Sequence, residues 1–520
     1  MYKIMSAEDA VELIQDGDTI GLNAFLPLVN PEALHSALGK RIRETGHPNN
    51  LELFCSSGFG GWNEKMYADQ YIETGAVRSV VAGHFGSMPL ITKAVQQGKI
   101  EGYNMPLGVM AHMQRAAASR QNRHLSKIGL NLFVDPRVEG PGLNDISKDE
   151  WVRVTQVEGE TMLSYRTPQF NIAFIRGTSA DPNGNISFEK ECVTVDALTL
   201  AQATKANGGK VIVQVERLSH QFNRPRNVIV PGVLVDVIVV CPGQKQVIDG
   251  DYNPSLSGDV HVPPAHMNYW VDQLTLSGKR KNKEKNLSHL IIGARAAQEL
   301  HCGNVVNIGI GIPENAGPAA AKLGILNNIF LTVEAGGIGG LPAPGIAFGA
   351  TIGADVVVDM SQQFDYYDGG GLDICLMGGF EVDQAGNVNA HKLPGRIAGI
   401  GGFANITQST RNIVFCVNFS TDGLDVEVKD GALNIKTEGR VRKFVNKVNS
   451  VSFSAINAHA SHQNVLYITE RCVFKLGENG LELCEIVKGV DLQKDILSLL
   501  SFPVKVSDTL KVLDISTLPL

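Results

Sequence analysis

The sequence lacks a surplus of positive charge. Its 520 residues include 46 Lys and Arg against 53 Asp and Glu, a formal net charge of −7. Proteins that bind nucleic acid usually carry a basic surplus or a basic stripe, so nucleic acid is not expected among its partners. The densest basic run is KRKNKEK, residues 279–285, which we interpret as a solvated linker.

Paired cysteines are lacking as well. The eight cysteines are scattered along the chain, and none forms a CxxC pair. A disulfide framework or a zinc site is therefore not expected, which favours a reducing compartment. The N-terminal stretch MYKIMSAEDAVELIQDGD has acidic residues where a secretory signal needs an apolar core. These two features predict a cytoplasmic protein.

Four common catalytic motifs are missing. Gly309 and Gly311 form GxG, but the next glycine is Gly317, so the dinucleotide fingerprint GxGxxG is not met. The sequence has no phosphate loop, no GxSxG elbow and no HExxH pair, which argues against a classical NAD or ATP site and against a serine hydrolase. We interpret the isolated histidines as structural residues, namely His84, His112 and His391.

Charge is absent from residues 335–354, AGGIGGLPAPGIAFGATIGA. Hydropathy alone would suggest a membrane helix, but seven of these twenty residues are glycine and two are proline. Both residue types disfavour a spanning helix. We predict a buried loop that lines a site, and no membrane partner.

Short apolar runs alternate with helical patterns along the chain. We interpret these runs as buried strands: RSVVAG, KVIVQV, VLVDVIVVC, NIFLTV, ADVVVDM and NIVFCVNF. The alternation predicts the α/β class, with open α/β domains and mainly parallel sheets. A chain of 520 residues is too long for one core. We expect an N-terminal domain at 1–241, a linker rich in proline, glycine and lysine at 242–286, and a C-terminal domain at 287–520.

Two motifs occur once in each half of the chain. GDTIGLNAF near the start and GNVVNIGIGIPENAG at 303–317 both fit a strand followed by a loop with proline, at Pro27 and Pro313. DPNGNIS at 181–187 is similar to DQAGNVN at 383–389, and Asp-x-x-Gly-Asn favours a hairpin in which glycine has a positive φ. The repetition indicates a duplicated domain. The wider spacing of the two motifs in the first half indicates an insertion there, or divergence of the copies.

One acidic residue, Glu334, stands where an apolar strand ends and glycines begin, in VEAGGIGG at 333–340. Ligands in open α/β sheets bind outside the carboxyl ends of the strands. A carboxylate there could be a nucleophile, a general base or a cation ligand, or an acid that caps a helix or a turn. We expect the glycines to admit a substrate and to expose amide N–H groups to a developing negative charge.

Two further glycine-rich loops are candidates for the same site. NIGIGIPENAG could admit a pantetheine arm or a diphosphate through exposed amides, or it could be a tight turn between a strand and a helix. GIGGFANIT, residues 399–407, follows the basic stretch HKLPGR. It could present amides to an oxyanion, or it could be a plain loop.

Taken in this order, the segments resemble the family I CoA-transferases, in particular the single-chain acetate or propionate CoA-transferase type, whose two halves are fused. The similar stretches run over nearly the whole chain: GDTIGLNAF, GLNLFVDPR, FIRGTSADPNGNISFE, NIGIGIPENAG, TVEAGGIGG, LMGGFEVDQAGNVNAHK, GIGGFANIT and YITERCVFKLGENGLELCEI. The resemblance implies two duplicated α/β halves. It also implies an enzyme that transfers CoA between a short-chain acyl-CoA and a free carboxylate such as acetate.

The resemblance implies roles for individual residues too. The glutamate of this motif, here Glu334, is the nucleophile of the family and carries CoA as a glutamyl thioester. Gly401 and Gly402 would supply an oxyanion amide. Coenzyme A is a substrate, no metal or permanently bound cofactor is implied, and a homodimer or homotetramer is expected. The residues that would contact CoA are Gly309, Ile310, Gly311, Ile312 and Pro313.

One position departs from the family pattern. The family tends to carry glutamine in a Pro-Gln-Gly segment that helps to form the oxyanion site, whereas NMPLGVMAH has Leu107 there. Leucine has no side-chain donor, and loss of one oxyanion donor costs about 2.7–4 kcal/mol in other enzymes. A compensating group, a different substrate or reduced activity would each account for Leu107. The alternative functions are an acyl-CoA hydrolase, an acyl-carrier transferase like the citrate lyase α-subunit, and a CoA-binding relative without catalysis.

Overall fold

The computed structural model contains two large β-sheets, one in each half of the chain. The described residues are 2–248, 250–263, 266 and 286–520. The basic run at 279–285 lies outside them, as does part of the expected linker. The domain limits 1–241, 242–286 and 287–520 therefore stay a prediction.

The strands of the first half form one large sheet and two small ones. They are β1 (Lys3–Met5), β2 (Thr19–Leu22), β3 (Leu51–Cys55), β4 (Val77–Ala82), β5 (Glu101–Asn104), β6 (Arg123–Ser126), β7 (Val152–Val157), β8 (Glu160–Arg166), β9 (Ile172–Arg176), β10 (Ser179–Ala180), β11 (Ile186–Ser187), β12 (Lys210–Val215), β13 (Arg217–Leu218), β14 (Val228–Val230) and β15 (Val237–Val240). The large sheet has the order β1-β15-β12-β9-β2-β3-β4-β5, and each neighbouring pair is parallel. The small sheets have the orders β13-β10-β11-β14 and β6-β8-β7.

The second half contains one large mixed sheet and several small sheets. Its strands are β16 (Val305–Ile308), β17 (Phe330–Thr332), β18 (Gly337–Ile338), β19 (Leu341–Pro342), β20 (Thr351–Ile352), β21 (Val356–Val357), β22 (Ile374–Gly378), β23 (Glu381–Asp383), β24 (Val388–Asn389), β25 (Lys392–Leu393), β26 (Arg396–Ile397), β27 (Asn412–Cys416), β28 (Ser420–Thr421), β29 (Asp425–Lys429), β30 (Ala432–Thr437), β31 (Val441–Arg442), β32 (Phe444–Val445), β33 (Asn464–Ile468), β34 (Cys472–Gly477), β35 (Gly480–Val487) and β36 (Lys505–Leu513). Ten of these strands form the large sheet, in the order β21-β18-β17-β16-β22-β27-β33-β34-β35-β36. The strands from β17 to β33 are parallel, and antiparallel pairs flank them on both sides.

Helices connect the parallel strands and bury their apolar faces against the sheets. They are α1 (Ala7–Val11), α2 (Glu32–Thr45), α3 (Pro89–Gln96), α4 (Leu107–Ala118), α5 (Ala197–Ala206), α6 (Pro254–Ser257), α7 (Leu287–Ala297), α8 (Ala316–Lys322), α9 (Met360–Asp368), α10 (Phe403–Ser409) and α11 (Ala455–Ala460). Because helices cover the sheets, central strands such as β9 are buried at every residue and read as continuous apolar runs. Among the residues that the structure describes, no helix is long and apolar enough to cross a membrane.

The two halves share one topology. The order β15-β12-β9-β2-β3 in the first sheet corresponds to β33-β27-β22-β16-β17 in the second. In each half a short antiparallel hairpin, β10–β11 or β23–β24, follows the central strand and precedes a helix. The first half has β4, β5 and the β6-β8-β7 sheet in addition, which is the insertion expected from the motif spacing. The predicted α/β fold with duplicated halves and mainly parallel sheets is confirmed.

The two Asp-x-x-Gly-Asn motifs form the same turn. The carboxylate of Asp181 accepts the backbone N–H of Asn185 at 3.0 Å, and that of Asp383 accepts the N–H of Asn387 at 3.0 Å. The intervening glycine has φ +75 in the first copy and +92 in the second. The aspartate thus fixes the turn by its side chain and the glycine permits it, as the sequence predicts.

Candidate active site

A cavity of about 1530 Å³ lies between loops of the two halves. Its wall includes segments that follow β2, β3, β4 and β5 in the first half and β16, β17 and β22 in the second. All seven strands belong to the parallel parts of the two large sheets. The carboxyl ends of parallel strands are the usual place for ligands, so both halves contribute to one site.

Glu334 lies in the turn after β17, two residues beyond Thr332, and faces the cavity. Its side chain is only partly exposed. Burial raises the pKa of this carboxyl to about 7, against the opposing effect of a hydrogen bond from the Gly402 N–H. A methyl group added to Gly402 would lie 2.7 Å from the carboxyl carbon of Glu334. The carboxylate is therefore partly desolvated and in direct contact with one backbone donor.

The glycines after Glu334 serve the packing of the chain. Gly336 has φ +114, and a Cβ there would lie 1.9 Å from the carbonyl oxygen of Val358. The four glycines of the described segment 336–340 are not among the residues that line the cavity. The structure thus gives these glycines a role in close packing against residues 351–358, in place of the expected exposure to substrate. The cavity wall is formed by a later part of the uncharged segment, from Pro342 to Gly349.

The loop before α10 holds Gly402 against Glu334. The Gly401 N–H donates to the carbonyl of Gly83 at 2.8 Å, and the Gly401 carbonyl accepts from the Leu107 N–H at 2.9 Å. The amide of Gly401 is therefore already paired with the first half. Of the two glycines that the sequence suggests for the oxyanion, Gly402 is the one whose amide meets Glu334.

Leu107 is the first residue of α4 and is 1% exposed, with its side chain on the cavity wall. The helix begins there because Pro106 precedes it with extended backbone. The position expected to carry an oxyanion donor thus faces the site, and it contributes an apolar surface.

The loop after β16 lies along the same cavity. Gly309, Ile310, Gly311 and Ile312 line it, while Pro313 is buried and starts a short 3₁₀ turn. Gly311 has φ +88, and the space where a Cβ would stand is open. Ile310 is 52% exposed. Four of the five residues expected to contact CoA therefore face the cavity, and the fifth supports them.

A cationic cluster on the cavity wall was not foreseen from the sequence. The guanidinium of Arg396 lies 4.6 Å from the ring centre of Phe380, and the ammonium of Lys443 lies 6.0 Å from the same ring. Burial lowers the pKa of Lys443, and the charge of Arg396 lowers it further. The basic stretch HKLPGR contains Arg396, but nothing local to it indicates that Lys443 lies nearby.

Of the three isolated histidines, one belongs to the site. Nε2 of His112 lies 3.1 Å from Oδ1 of Asp365, and His391 stacks on Phe133 at 3.9 Å between ring centres. Both are buried in packing contacts, as a structural role requires. His84 lines the cavity.

The described residues offer neither a cluster of metal ligands nor an ionised thiol at the site. Among the described residues, no group of three or more His, Cys, Asp or Glu could hold a metal ion. The eight cysteines are free thiols. Cys416 lines the cavity, but burial raises the pKa of its thiol far above the usual range, so it stays protonated at neutral pH.

Known proteins resemble this chain over nearly its full length. The acetate CoA-transferase YdiF of Escherichia coli (strain K12) is 38% identical over 514 residues, 98% of this chain and 94% of the relative. The caffeate CoA-transferase of Acetobacterium woodii is 37% identical over 523 residues, 99% and 97% of the two chains. A crystal structure of acyl-CoA transferase YdiF from Escherichia coli O157:H7, described as a thioester complex with CoA, matches with a TM-score of 0.90 and 36% identity over 99% of this chain and 95% of that one.

The family model of coenzyme A transferase matches residues 4–241 and 290–493. These two segments contain both large sheets except the first residue of β1 and the edge strand β36, and they contain each loop of the cavity wall described above. With this match, and with relatives similar in sequence and fold across both halves, the chain belongs to the coenzyme A transferase family and is a CoA-transferase with its two halves in one polypeptide.

Proposed function

We propose that the protein transfers CoA from a short-chain acyl-CoA to a free carboxylate through a glutamyl-CoA thioester on Glu334. The observation that carries this proposal is the setting of Glu334: partly desolvated, on the cavity shared by both halves, with the Gly402 amide on its carboxylate. The thioester named for the relative YdiF supports the same kind of intermediate here.

The reaction begins when an oxygen of Glu334 attacks the thioester carbonyl carbon of the acyl-CoA. The C–S bond breaks, CoA leaves as a thiolate, and an acyl-glutamyl anhydride remains. The thiolate then attacks the glutamyl carbonyl, the anhydride C–O bond breaks, and the first carboxylate leaves. A second carboxylate reverses these steps and leaves as the new acyl-CoA. The amide of Gly402 is placed to donate to the oxygen of the glutamyl carbonyl as it becomes negative.

CoA fits the part of the cavity formed by the second half. The open loop Gly309–Ile312 offers a path for the extended pantetheine arm. Arg396 and Lys443, which both lie near the ring of Phe380, offer positive charge to phosphate groups. Pro313 is buried at the end of this loop and begins the 3₁₀ turn that follows it. We assign the CoA contacts to these residues, with Gly401 and Leu107 shaping the acyl side.

Transfer rather than hydrolysis requires that water be kept from the two covalent intermediates. Apolar residues line the same cavity as Glu334, among them Phe25, Leu26, Leu107 and Phe348. This lining favours a transferase over an acyl-CoA hydrolase. The chemistry uses CoA as a substrate and needs no metal or permanently bound cofactor.

The relatives suggest the class of acid. Their names specify acetate and caffeate, which share one carboxylate and no other charged group. We propose monocarboxylic acids as acceptors, with acetate and other short-chain acids first. We further propose that the chain self-associates as a homodimer or homotetramer.

Intact-protein mass spectrometry tests the proposal directly. After mixing with acetyl-CoA or propionyl-CoA, the protein should gain the mass of one CoA less one water, on the peptide that contains Glu334. Glu334→Gln should form no adduct and show no transfer, because an amide cannot act as the nucleophile. The side chain keeps its size, so the variant should fold.

Glu478→Gln is the matched control, because Glu478 is an exposed turn residue of the second half. It should form the adduct as the wild type does. A Glu334→Gln protein that still transfers CoA would overturn the mechanism, and an adduct on another residue would move the nucleophile elsewhere.

A further inference from the structure

His84 lies on the cavity wall two residues after β4. Beside it is Ser57, which lies two residues after the neighbouring strand β3. The backbone N–H of His84 donates to the carbonyl of Ser57 at 2.9 Å, and both residues line the cavity that contains Glu334. Glu334 itself lies two residues after β17, the strand that corresponds to β3 in the duplicated fold. The first half thus presents Ser57 and His84 where the second half presents its carboxylate.

The imidazole of His84 makes no hydrogen bond to any residue that the structure describes. Its Nδ1 is buried without a partner, while the ring is partly exposed to the cavity, so Nε2 is the nitrogen within reach of a bound molecule. Burial lowers the pKa of His84 to about 4, which leaves a neutral ring with one N–H at neutral pH. A buried N–H without an acceptor is rarer in proteins than an unpaired acceptor. We therefore assign the proton to Nε2.

The backbone of His84 is fixed to the loop that carries Gly402. The carbonyl of Gly83 accepts the Gly401 N–H, and the N–H groups of Phe85 and Gly86 donate to the carbonyl of Ala398 at 2.8 and 3.0 Å. A Cβ on Gly86 would lie 3.2 Å from Cε1 of His84 and 3.6 Å from Cα of Ala398, so the ring lies beside this loop. The imidazole is therefore held in place relative to the residue that contacts the nucleophile.

Neither the side chain of Leu107 nor the amide of Gly401 is a free donor for the acyl group of the substrate. Leu107 has no polar atom in its side chain, and the amide of Gly401 is paired with Gly83. A carboxylate acceptor still has to be oriented, and the oxygen of an attacked acyl carbonyl still becomes negative. Donors placed at that oxygen are commonly worth about 10²–10³-fold in kcat.

We propose that the Nε2–H of His84, assisted by the hydroxyl of Ser57, binds the acyl oxygen of the substrate and supplies the donor that Leu107 lacks. This inference rests on the proposed function. His84 donates to the carbonyl oxygen of the entering acyl-CoA and to one oxygen of the acceptor carboxylate. It keeps its proton throughout, while the C–S bond breaks and the C–O bond to Glu334 forms, and no other reactant is required. A neutral donor orients the carboxylate without pairing it with a full positive charge, which would weaken it as a nucleophile.

Three substitutions at one position test the inference. His84→Gln places an amide NH₂ near the position of Nε2, whereas His84→Asn places it near Nδ1, and His84→Ala removes it. We expect kcat/KM for acetate to fall about 10²–10³-fold in His84→Ala and His84→Asn. His84→Gln should retain activity within about tenfold of the wild type. Leu107→Gln added to His84→Ala should restore part of the loss, since it returns a donor to the same side.

The outcomes separate this inference from the proposed function. If the wild-type protein forms no CoA adduct, both the proposed mechanism and the role of His84 are contradicted. An adduct in wild type, together with unchanged kinetics for acetate in His84→Ala, would overturn the role of His84 alone. Equal losses in the Gln, Asn and Ala variants would show a packing role and would also overturn it. If His84→Ala does not fold, Ser57→Ala decides: about a tenfold loss in kcat/KM for acetate supports the donor pair and no loss contradicts it.

Discussion

Glu334 has two properties that an isolated carboxylate in water lacks. Burial raises its pKa to about 7, and it accepts the N–H of Gly402. Partial removal of water makes the carboxylate a stronger nucleophile toward a thioester, and the amide stands where negative charge develops. The cost is that a proton competes for the same oxygen near neutral pH.

The transferase rate should therefore depend on pH through this one carboxyl. Only the ionised form attacks, so kcat/KM for the acyl-CoA should rise with pH, level off above about pH 7 and fall about tenfold for each unit below it. With a glutamate of ordinary pKa, 4.5, the fall in kcat/KM would begin only near pH 4.5. Initial rates with limiting acyl-CoA between about pH 5 and about pH 9 measure the profile.

Two other buried carboxyls must be separated from Glu334 in that experiment. Burial also raises the pKa of Asp196 and of Asp368 to about 7. Neither residue lines the cavity. In Asp196→Asn and Asp368→Asn, kcat/KM should therefore still begin to fall near pH 7. The assignment to Glu334 would be contradicted if this pH changed in either variant, or if kcat/KM stayed constant down to about pH 5.

At the scale of the element, the short loops that follow strands determine where the groups around Glu334 lie. The loop before α10 brings Gly402 so close to Glu334 that a methyl group there would lie 2.7 Å from the carboxyl carbon and 2.8 Å from Cζ of Phe364. Gly402 has φ −83, which any residue adopts. Gly402→Ala should therefore fold, but it should displace the carboxylate and lower kcat about 10²-fold, as small misplacements of reacting groups do.

Gly378→Ala gives the matched control for that prediction. Gly378 ends β22 and lines the same cavity, and a Cβ there would meet no atom closer than 3.8 Å. At saturating acyl-CoA its kcat should stay close to wild type. Equal losses in the two variants would mean that bulk in the cavity, and not contact with Glu334, determines the effect.

At the scale of the whole molecule, the sequence predicts what is local and misses what depends on distant strands. Glu334 is recognisable because its glycine context is adjacent to it, and the turns of Asp181 and Asp383 are recognisable for the same reason. The parallel strands follow from continuous apolar runs. The sequence suggests only a structural role for His84 and gives no sign of Lys443, because the segments after β4 and before β32 reach the cavity only through sheet order and loop packing. The packing of the glycines after Glu334 is also non-local, since residues between 351 and 358 occupy the space where their Cβ atoms would stand.

Asn104 is one of the buried side chains that join the two halves at the site. Oδ1 of Asn104, at the end of β5, accepts the N–H of Ile400 at 3.0 Å, while its Nδ2 donates to the carbonyls of Ala82 and Gly83 at 2.8 Å each. Asn104→Ala leaves the buried N–H of Ile400 without its acceptor and removes one donor from each of the two carbonyls, although the Gly83 carbonyl keeps the Gly401 N–H. We expect the free energy of unfolding to fall by about 1–3 kcal/mol, and kcat to fall at least about tenfold because the Gly402 loop loses one of its anchors to the first half.

Asn144→Ala distinguishes loss of the anchor from loss of stability. Asn144 also bonds three backbone groups, donating to the carbonyls of Val95 and Ile100 and accepting from the Ser147 N–H, but it does so within the first half alone. Urea unfolding should therefore show similar destabilisation in both variants, and steady-state kinetics should show a loss of kcat in Asn104→Ala only. A parallel loss of activity in Asn144→Ala would mean that general stability, and not the link from Asn104 to Ile400, holds the catalytic loop in place.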